Sequence, residues 1–301
     1  MSKYLITGGP GSLGKEICRQ LLNRSDTEEV LMFSRNETKQ FESSMLISDK
    51  RVRYIVGDIK NYDSVFNATL GIDYIFHAAA LKHIDVAEKF PDQTVKINVL
   101  GTSNVINAAI QNKVKKVLFV STDKACIPTN IYGVSKLLGE KSIILSNGVS
   151  DTKFSVVRFG NLIGSNGSIF QKWRIMKDNG DRISVTDKNM NRFFIRSSEA
   201  GSWSVNFLEK MQGGEVFIPK MKSANIYDIA KSFVDESRID IVGSRSGEKL
   251  NEDILSNLEL GSVDDMGEYY ILNNDSKVSS FSYNSNNSVD WYSKEEINEF
   301  F

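Results

Sequence analysis

Tyr132 and Lys136 stand four residues apart in the string Tyr132-Gly133-Val134-Ser135-Lys136, and on a helix that spacing turns both side chains to one face. A phenol with an ordinary pKa of about 10 is a poor base, but a neighbouring ammonium stabilises the phenolate and draws that value toward neutrality. The pair is therefore a candidate for moving the proton of a substrate hydroxyl. Shortly before it the chain reads Ser121-Thr122-Asp123-Lys124, with an acid beside a base at the carboxyl end of an apolar run. Such a pair either projects a general acid and a general base over a crevice or forms an exposed ion pair of little worth, and the sequence leaves both readings open. A catalytic Lys124 must be neutral to act as a base; Asp123 favours its charged form, whereas burial and Lys136 oppose it. On an extended segment the two side chains would also point in opposite directions.

These groups need a scaffold, and the glycine-rich stretch Gly8-Gly9-Pro10-Gly11-Ser12-Leu13-Gly14 suggests one. It follows an apolar run, Tyr4–Thr7, and opens a stretch, Leu13–Asn23, with Leu13, Ile17, Leu21 and Leu22 at helical spacing. Strand, tight turn and helix in that order bring backbone N–H groups to a pyrophosphate, which makes Gly8, Pro10, Gly11, Ser12, Leu13 and Gly14 candidate contacts of a dinucleotide. A plain strand-to-helix turn would read the same way. At the end of the second apolar run, where NAD-binding folds place an acid, the chain has Ser34, Arg35 and Asn36, with Lys39 soon after. Positive charge there suits a 2′-phosphate and favours NADP over NAD, unless these residues are simply a solvated helix start. Asp58 and Ile59, after the third run, are placed to meet the adenine edge.

Further apolar runs at Val30–Phe33, Val52–Val56, Tyr74–Ala78, Lys116–Val120 and Phe154–Val157 alternate with helix-compatible stretches. That alternation predicts an α/β fold, a Rossmann-type doubly wound parallel sheet covered on both faces. Past residue 160 the pattern loosens into short pieces (Ile183–Val185, Glu215–Ile218, Ile239–Val242) that suit a small lobe. The expected division is a dinucleotide-binding domain over 1–160 and a smaller C-terminal substrate-binding lobe over 161–301, with room to return a strand and a helix to the main sheet. Asp275–Val289, dense in Ser and Asn, reads as a surface loop before a last helix, Lys294–Phe301.

The 301-residue chain is 41% hydrophobic and 25% charged with a formal charge of −1, so it has no field to gather nucleic acid or anionic lipid. Neither nucleic acid nor membrane is expected as a partner. Two cysteines, Cys18 and Cys126, exclude a disulfide framework and suit a reducing compartment. The start, MSKYLITGG, lacks the apolar run of a secretory signal, and the expected location is cytoplasmic. His77 and His83 are the only histidines, too few for a metal site. His77 reads as a packed strand-end residue, whereas His83 is open between surface and substrate contact. Trp173, Trp203 and Phe207 are either lobe packing or an aromatic wall for a base.

The strings TGGPGSLG, SRNETKQ, HAAALKHIDVAE, STDKACIPTNIYGVSK, SVVRFGNLIGSNGS and GSRSGEK resemble, over about residues 3–255, the extended short-chain dehydrogenases. Within them the likeness is to the C5-inverting UDP-N-acetylglucosamine 4,6-dehydratases, of which the Asp-Lys pair before the tyrosine looks like the mark. The resemblance implies that Pro10–Leu13, Ser34–Lys39, Asp58, Ile59, Ala78, Ala79 and Ala80, with Tyr132 and Lys136, line an NADP site, and that Leu162–Asn166 passes near the nicotinamide. It implies that Lys82, Asn161, Arg192, Arg245 and Glu248 contact UDP-N-acetylglucosamine, with His83 beside them, and that Thr122 joins the catalytic group.

The implied chemistry is a transient oxidation at C4 of the hexose. Tyr132 would take the C4 hydroxyl proton, Lys136 would hold the ribose, Lys124 would remove the C5 proton and Asp123 would protonate the departing C6 hydroxyl. No role falls to Cys126 beyond lining. Pro10, Asn191 and Ser246 depart from the family pattern. Relatives are oligomeric, so a homo-oligomer is expected by resemblance. A UDP-sugar 4-epimerase would use Tyr132 and Lys136 without Asp123 and Lys124, and a non-catalytic NADP-binding scaffold would need none of the four.

Overall fold

Short runs rich in β-branched and aromatic residues form a central sheet, and the amphipathic stretches between them return the chain in the same direction. In the computed structural model, which describes every residue except 246, 260, 274–280 and 301, the chain begins β1 (Ser2–Thr7), α1 (Ser12–Leu22), β2 (Thr27–Ser34), α2 (Glu37–Leu46), β3 (Val52–Val56), α3 (Tyr62–Ala68) and β4 (Tyr74–His77). There follow α4 (Ile84–Lys89), α5 (Pro91–Thr94), a π-helical turn over Val95–Leu100, α6 (Gly101–Gln111), β5 (Lys116–Thr122), α7 (Ile131–Leu145) and β6 (Lys153–Phe159). Then come β7 (Asn161–Ile163), α8 (Ile169–Asp178), β8 (Ile183–Val185), β9 (Asn191–Arg196), α9 (Ser197–Lys210), β10 (Val216–Pro219), β11 (Lys222–Asn225) and α10 (Ile226–Phe233). The chain closes with β12 (Ile239–Ile241), β13 (Asp253–Leu255), β14 (Val263–Asp265), β15 (Tyr269–Leu272), β16 (Tyr283–Asn284) and α11 (Lys294–Asn298).

The nine-stranded sheet has the order β14-β15-β10-β6-β5-β4-β1-β2-β3. It is parallel from β10 to β3 and antiparallel at β15 and β14. This is the Rossmann-type sheet anticipated from the alternating pattern. Winding reverses between β1 and β4, so the carboxyl ends of β1, β4 and β5 flank one crevice. Helices cover both faces, which is why Leu5, Ile6, Ile75, Phe76, Val117 and Leu118 are all buried.

The chain beyond residue 160 divides its residues between this sheet and a second core. Glu215–Ile218, read as part of the lobe, instead supplies β10 of the main sheet. Val216, Phe217 and Ile218 are all buried, as a strand between β6 and β15 requires. β14 and β15 extend the same edge, and α9 packs against α1. The second core gathers Phe170, Trp173, Phe194, Ile229, Phe233 and Phe300. Trp173 stacks on Phe233, and Trp203 stacks on Phe207, which in turn stacks on Phe217. These aromatics are packing residues.

The Ser- and Asn-rich stretch is more than a surface loop over its described part, residues 275–280 lying outside the described residues. Tyr283 is buried, β16 pairs antiparallel with β13, and the Tyr283 hydroxyl donates to the Met221 carbonyl at 3.0 Å. Phe281 against Tyr270 and the buried Ser285, bonded to Glu252 and Asn191, complete the docking. The last helix ends at Asn298, and the expected terminal Phe301 lies outside the described residues.

Candidate active site

The glycine turn is held by its backbone. Gly8, at φ 72°, donates to the Phe33 carbonyl at 2.8 Å, and a Cβ there would lie 2.9 Å from the Ala79 nitrogen. Gly14 has no more room, since its Cβ would strike the Gly9 carbonyl oxygen. The two glycines press β1, the turn and α1 together. Gly11 caps α1 with no side-chain hydrogen bond, so the first-turn N–H groups around Ser12 and Leu13 face the crevice as a free anion cradle. Pro10 is buried within the turn.

At the next strand end, Asn36 accepts from the Lys39 N–H at 2.9 Å and caps α2, while Arg35 and Lys39 are exposed. Ser34 instead gives its carbonyl to Gln40 at 2.8 Å. Asp58 is occupied locally by Lys60, and Ile59 is buried. Ala78 and Ala79 donate to Thr7, and Ala80 is exposed beyond them. Thr7 also bonds the His77 ring at 2.7 Å, with Thr102 on the other ring nitrogen at 3.0 Å. Burial, helped by Lys136, pushes His77 down to about 3, so it is a neutral packing residue.

The residues expected to be catalytic sit one strand away. β5 ends at Thr122, and Asp123–Ala125 form a 3₁₀ turn before α7, which Asn130 caps by accepting from the Gly133 N–H at 2.9 Å. The expectation of an extended segment with Asp123 and Lys124 pointing apart is thereby corrected, because the tight turn brings both side chains to one side. Lys124 Nζ donates to Asp123 Oδ1 at 3.0 Å, and Thr122 Oγ1 donates to the same oxygen at 2.8 Å. Asp123 is wholly buried and the Lys124 side chain only 14% exposed, so the pair is not a surface salt bridge. Among the described residues, Asp123 Oδ2 is buried without a hydrogen-bond partner.

The Tyr132 phenol lies within electrostatic reach of the Lys124 ammonium. Burial pushes this phenol up to about 12, and the Lys124 ammonium pulls the other way. Lys136 does not play the part expected of it toward the phenol. Its Nζ donates to the Val120 carbonyl at 2.7 Å and lies 3.8 Å from the centre of the Phe119 ring. Burial brings Lys136 down to about 7 against the pull of Glu140. The ammonium that acts on Tyr132 is that of Lys124. Burial would neutralise Lys124, but the Asp123 and Glu252 carboxylates outweigh it and hold this amine above its ordinary value.

On the facing side, Lys82 Nζ donates to the Asn166 carbonyl at 2.6 Å, and the Asn166 N–H donates to Ser12 Oγ at 3.0 Å. Leu162–Asn166 thus spans from the glycine turn to Lys82, with Leu162 packed on the main core. Asn161 donates to the Phe193 carbonyl at 3.2 Å. Partial burial and Lys39 lower the Lys82 amine, and partial burial, Lys82 and Lys39 lower His83. Two lysines from separate segments, Lys39 and Lys82, therefore converge beside a neutral His83, as an anionic ligand would require.

Arg245 is exposed, its guanidinium 3.4 Å from Asp85, and Glu248 accepts from the Arg245 N–H at 3.2 Å. Ser246 between them lies outside the described residues. Arg192 is buried, and its guanidinium donates to the carbonyls of Asn191, Lys249 and Leu250 at 2.7–2.9 Å. These bonds turn Arg192 toward the chain it supports. Sequence reasoning missed Glu252, which lies 3.8 Å from Lys124, and its only signal was its place just after the GSRSGEK string. It also missed the buried Arg158, bonded to Glu140 of α7 and to Glu259.

The profile of the family described as polysaccharide biosynthesis protein matches residues 4–274. The chain is 35% identical over 317 aligned residues to an inverting UDP-N-acetylglucosamine 4,6-dehydratase of Campylobacter jejuni, covering 97% of this chain and 95% of that one. It is also 35% identical over 276 residues to a UDP-glucose 4-epimerase of Rickettsia canadensis, covering 88% and 81%. Among solved structures, Pen from Bacillus thuringiensis superposes with a TM-score of 0.92 at 36% identity, covering 99% of this chain and 96% of that one.

Proposed function

The chain belongs to the polysaccharide biosynthesis protein family, and from that premise we propose that it is a UDP-N-acetylglucosamine 4,6-dehydratase that inverts C5 with NADP as cofactor. The observation that carries the reading is the buried Asp123–Lys124 pair, hydrogen-bonded to Thr122, with the Lys124 ammonium acting on the Tyr132 phenol. The residues fit a nicotinamide dinucleotide. The uncapped start of α1 offers N–H donors, Gly8 leaves no room for a Cβ, and Arg35 and Lys39 replace the acid that would repel a 2′-phosphate. When bound, such a cofactor supplies a reversible two-electron oxidation, taken at C4 and returned at C6, which makes the C5 hydrogen acidic in between.

Tyr132 receives the proton of the C4 hydroxyl, and the Lys124 ammonium favours the phenolate it needs for that. Once Tyr132 is protonated, Lys124 is free to pass its own proton along the 3.0 Å bond to Asp123. That single shift creates both catalysts at once, a neutral amine to take the C5 proton and a carboxylic acid to protonate the departing C6 oxygen as water. The pair then regains its resting charges. The proton left on Tyr132 balances the one that returns to C5 on the opposite face. Asp123 Oδ2, buried without a partner, is the oxygen that a sugar hydroxyl would satisfy. Lys39 and Lys82 furnish positive charge for the phosphates of the bound nucleotides, with a neutral His83 beside them.

Incubation with UDP-N-acetylglucosamine and NADP tests the reading. The expected product has lost one water, carries a ketone at C4 and is inverted at C5. The likeness to a UDP-glucose 4-epimerase favours a second reading, under which the product has unchanged mass.

A further inference from the structure

Glu252 belongs neither to the glycine turn nor to α7, yet it reaches the centre of the candidate site. It is 5% exposed, and its Oε1 lies 3.8 Å from Lys124 Nζ and 3.7 Å from Arg192 Nε. Its backbone is pinned on both sides by Ser285, whose Oγ accepts from the Glu252 N–H and whose N–H donates to the Glu252 carbonyl, each at 2.9 Å. The same segment is fastened to the chain around Lys124. The Gly247 carbonyl accepts from Thr129 Oγ1 at 2.7 Å, and Lys249 Nζ donates to the Cys126 carbonyl at 3.1 Å.

We propose that Glu252 is a positioning residue, whose one oxygen is shared between Arg192 and Lys124 and anchors the Lys124 amine opposite Asp123. It thereby joins the placement of the catalytic amine to that of the 245–252 segment. Four groups face that amine: Asp123 from its own turn, Tyr132 from α7, and Glu252 and Arg192 from the chain beyond. Only the two carboxylates favour its charge, and Arg192 opposes it. Glu252 therefore fixes both where the amine sits and how firmly it keeps the proton it shares with Asp123.

The inference rests on Lys124 acting as proposed above, and the test separates the two. The alkaline limb of kcat reports loss of the shared proton, because without it Asp123 has nothing to give the departing oxygen. In E252Q one carboxylate at 3.8 Å is neutralised. Even with water-like screening that lowers the Lys124 pKa by about one unit, and by more in the interior.

The pH midpoint of that limb should fall by about one unit or more, while KM for UDP-N-acetylglucosamine changes by less than about threefold. An unmoved midpoint in a folded E252Q overturns the role of Glu252 and leaves the dehydratase reading intact. Failure of the wild-type protein to release water from UDP-N-acetylglucosamine overturns that reading instead. Should E252Q not fold, E252D decides, since it keeps the charge on a shorter stem. Its midpoint should fall by less than a unit with a reduced kcat, and wild-type values of both overturn the proposal.

Discussion

Replacing Lys124 with methionine removes the amine and keeps most of its volume, so its effects on chemistry and on folding can be worked out separately. Loss of a positioned acid–base group costs about 10²–10⁴ in rate, or roughly 3–5 kcal/mol of barrier. Tyr132 also loses the one charge that counters its burial, which pushes its phenol further from the anion. For the fold, Asp123 is wholly buried and would keep only Thr122 Oγ1 at 2.8 Å. An uncompensated buried carboxylate costs about 3–5 kcal/mol, which in a domain of this size lowers Tm by roughly 10 °C. K124M combined with D123N removes the stranded charge and should recover most of that Tm without recovering turnover. Product mass, dinucleotide binding followed by fluorescence, and thermal melts read the three quantities in parallel. K124M turning over within about threefold of wild type, or the double variant regaining activity with its Tm, would refute the assignment.

Lys136 gives a pH signature in stability. Its folded value of about 7 lies below the ordinary 10.5, so the unfolded chain binds more protons between these values and stability rises with pH there. From pH 7 to about 9, before raised Cys18 and the tyrosines begin to act the other way, urea melts of wild type should show this rise and melts of Lys136→Met should be flatter. Arg158→Met leaves Glu140 and Glu259 without their buried partner and should cost about 3–5 kcal/mol in the same melts, most of it regained by adding Glu140→Leu and Glu259→Leu. Arg35→Asp with Lys39→Glu should weaken NADP by about 10–100-fold in a titration and leave NAD within a few-fold, because a charge-assisted bond to the 2′-phosphate is worth about 1.5–3 kcal/mol.

Periodicity and glycine placement made the parallel sheet legible. Each strand of the first half is a short apolar run closed by turn residues and followed by a helix-compatible stretch, which is the pattern of a parallel sheet covered on both faces. β10 was misplaced because Val216–Pro219 sits among turns and looks like a lobe fragment until its pairing with Val156 and Val157 is seen. The Tyr132–Lys136 and Asp123–Lys124 pairs were visible as spacing, but what each lysine does was not. Spacing shows a shared face, whereas the Val120 carbonyl that takes up Lys136 and the turn that aims Lys124 are three-dimensional facts. Glu252 was invisible for the same reason, standing more than a hundred positions from Lys124 in sequence and 3.8 Å away in space.

On the proposed reading an amine at residue 124 removes the proton from the carbon beside a transient ketone. Turnover of UDP-N-acetylglucosamine by the wild-type protein in deuterated water tests it most directly. The dehydrated, C5-inverted product should carry one solvent deuterium at C5, and K124M should incorporate none. A dehydrated product carrying only its original hydrogen at C5, or equal labelling by K124M, would contradict it.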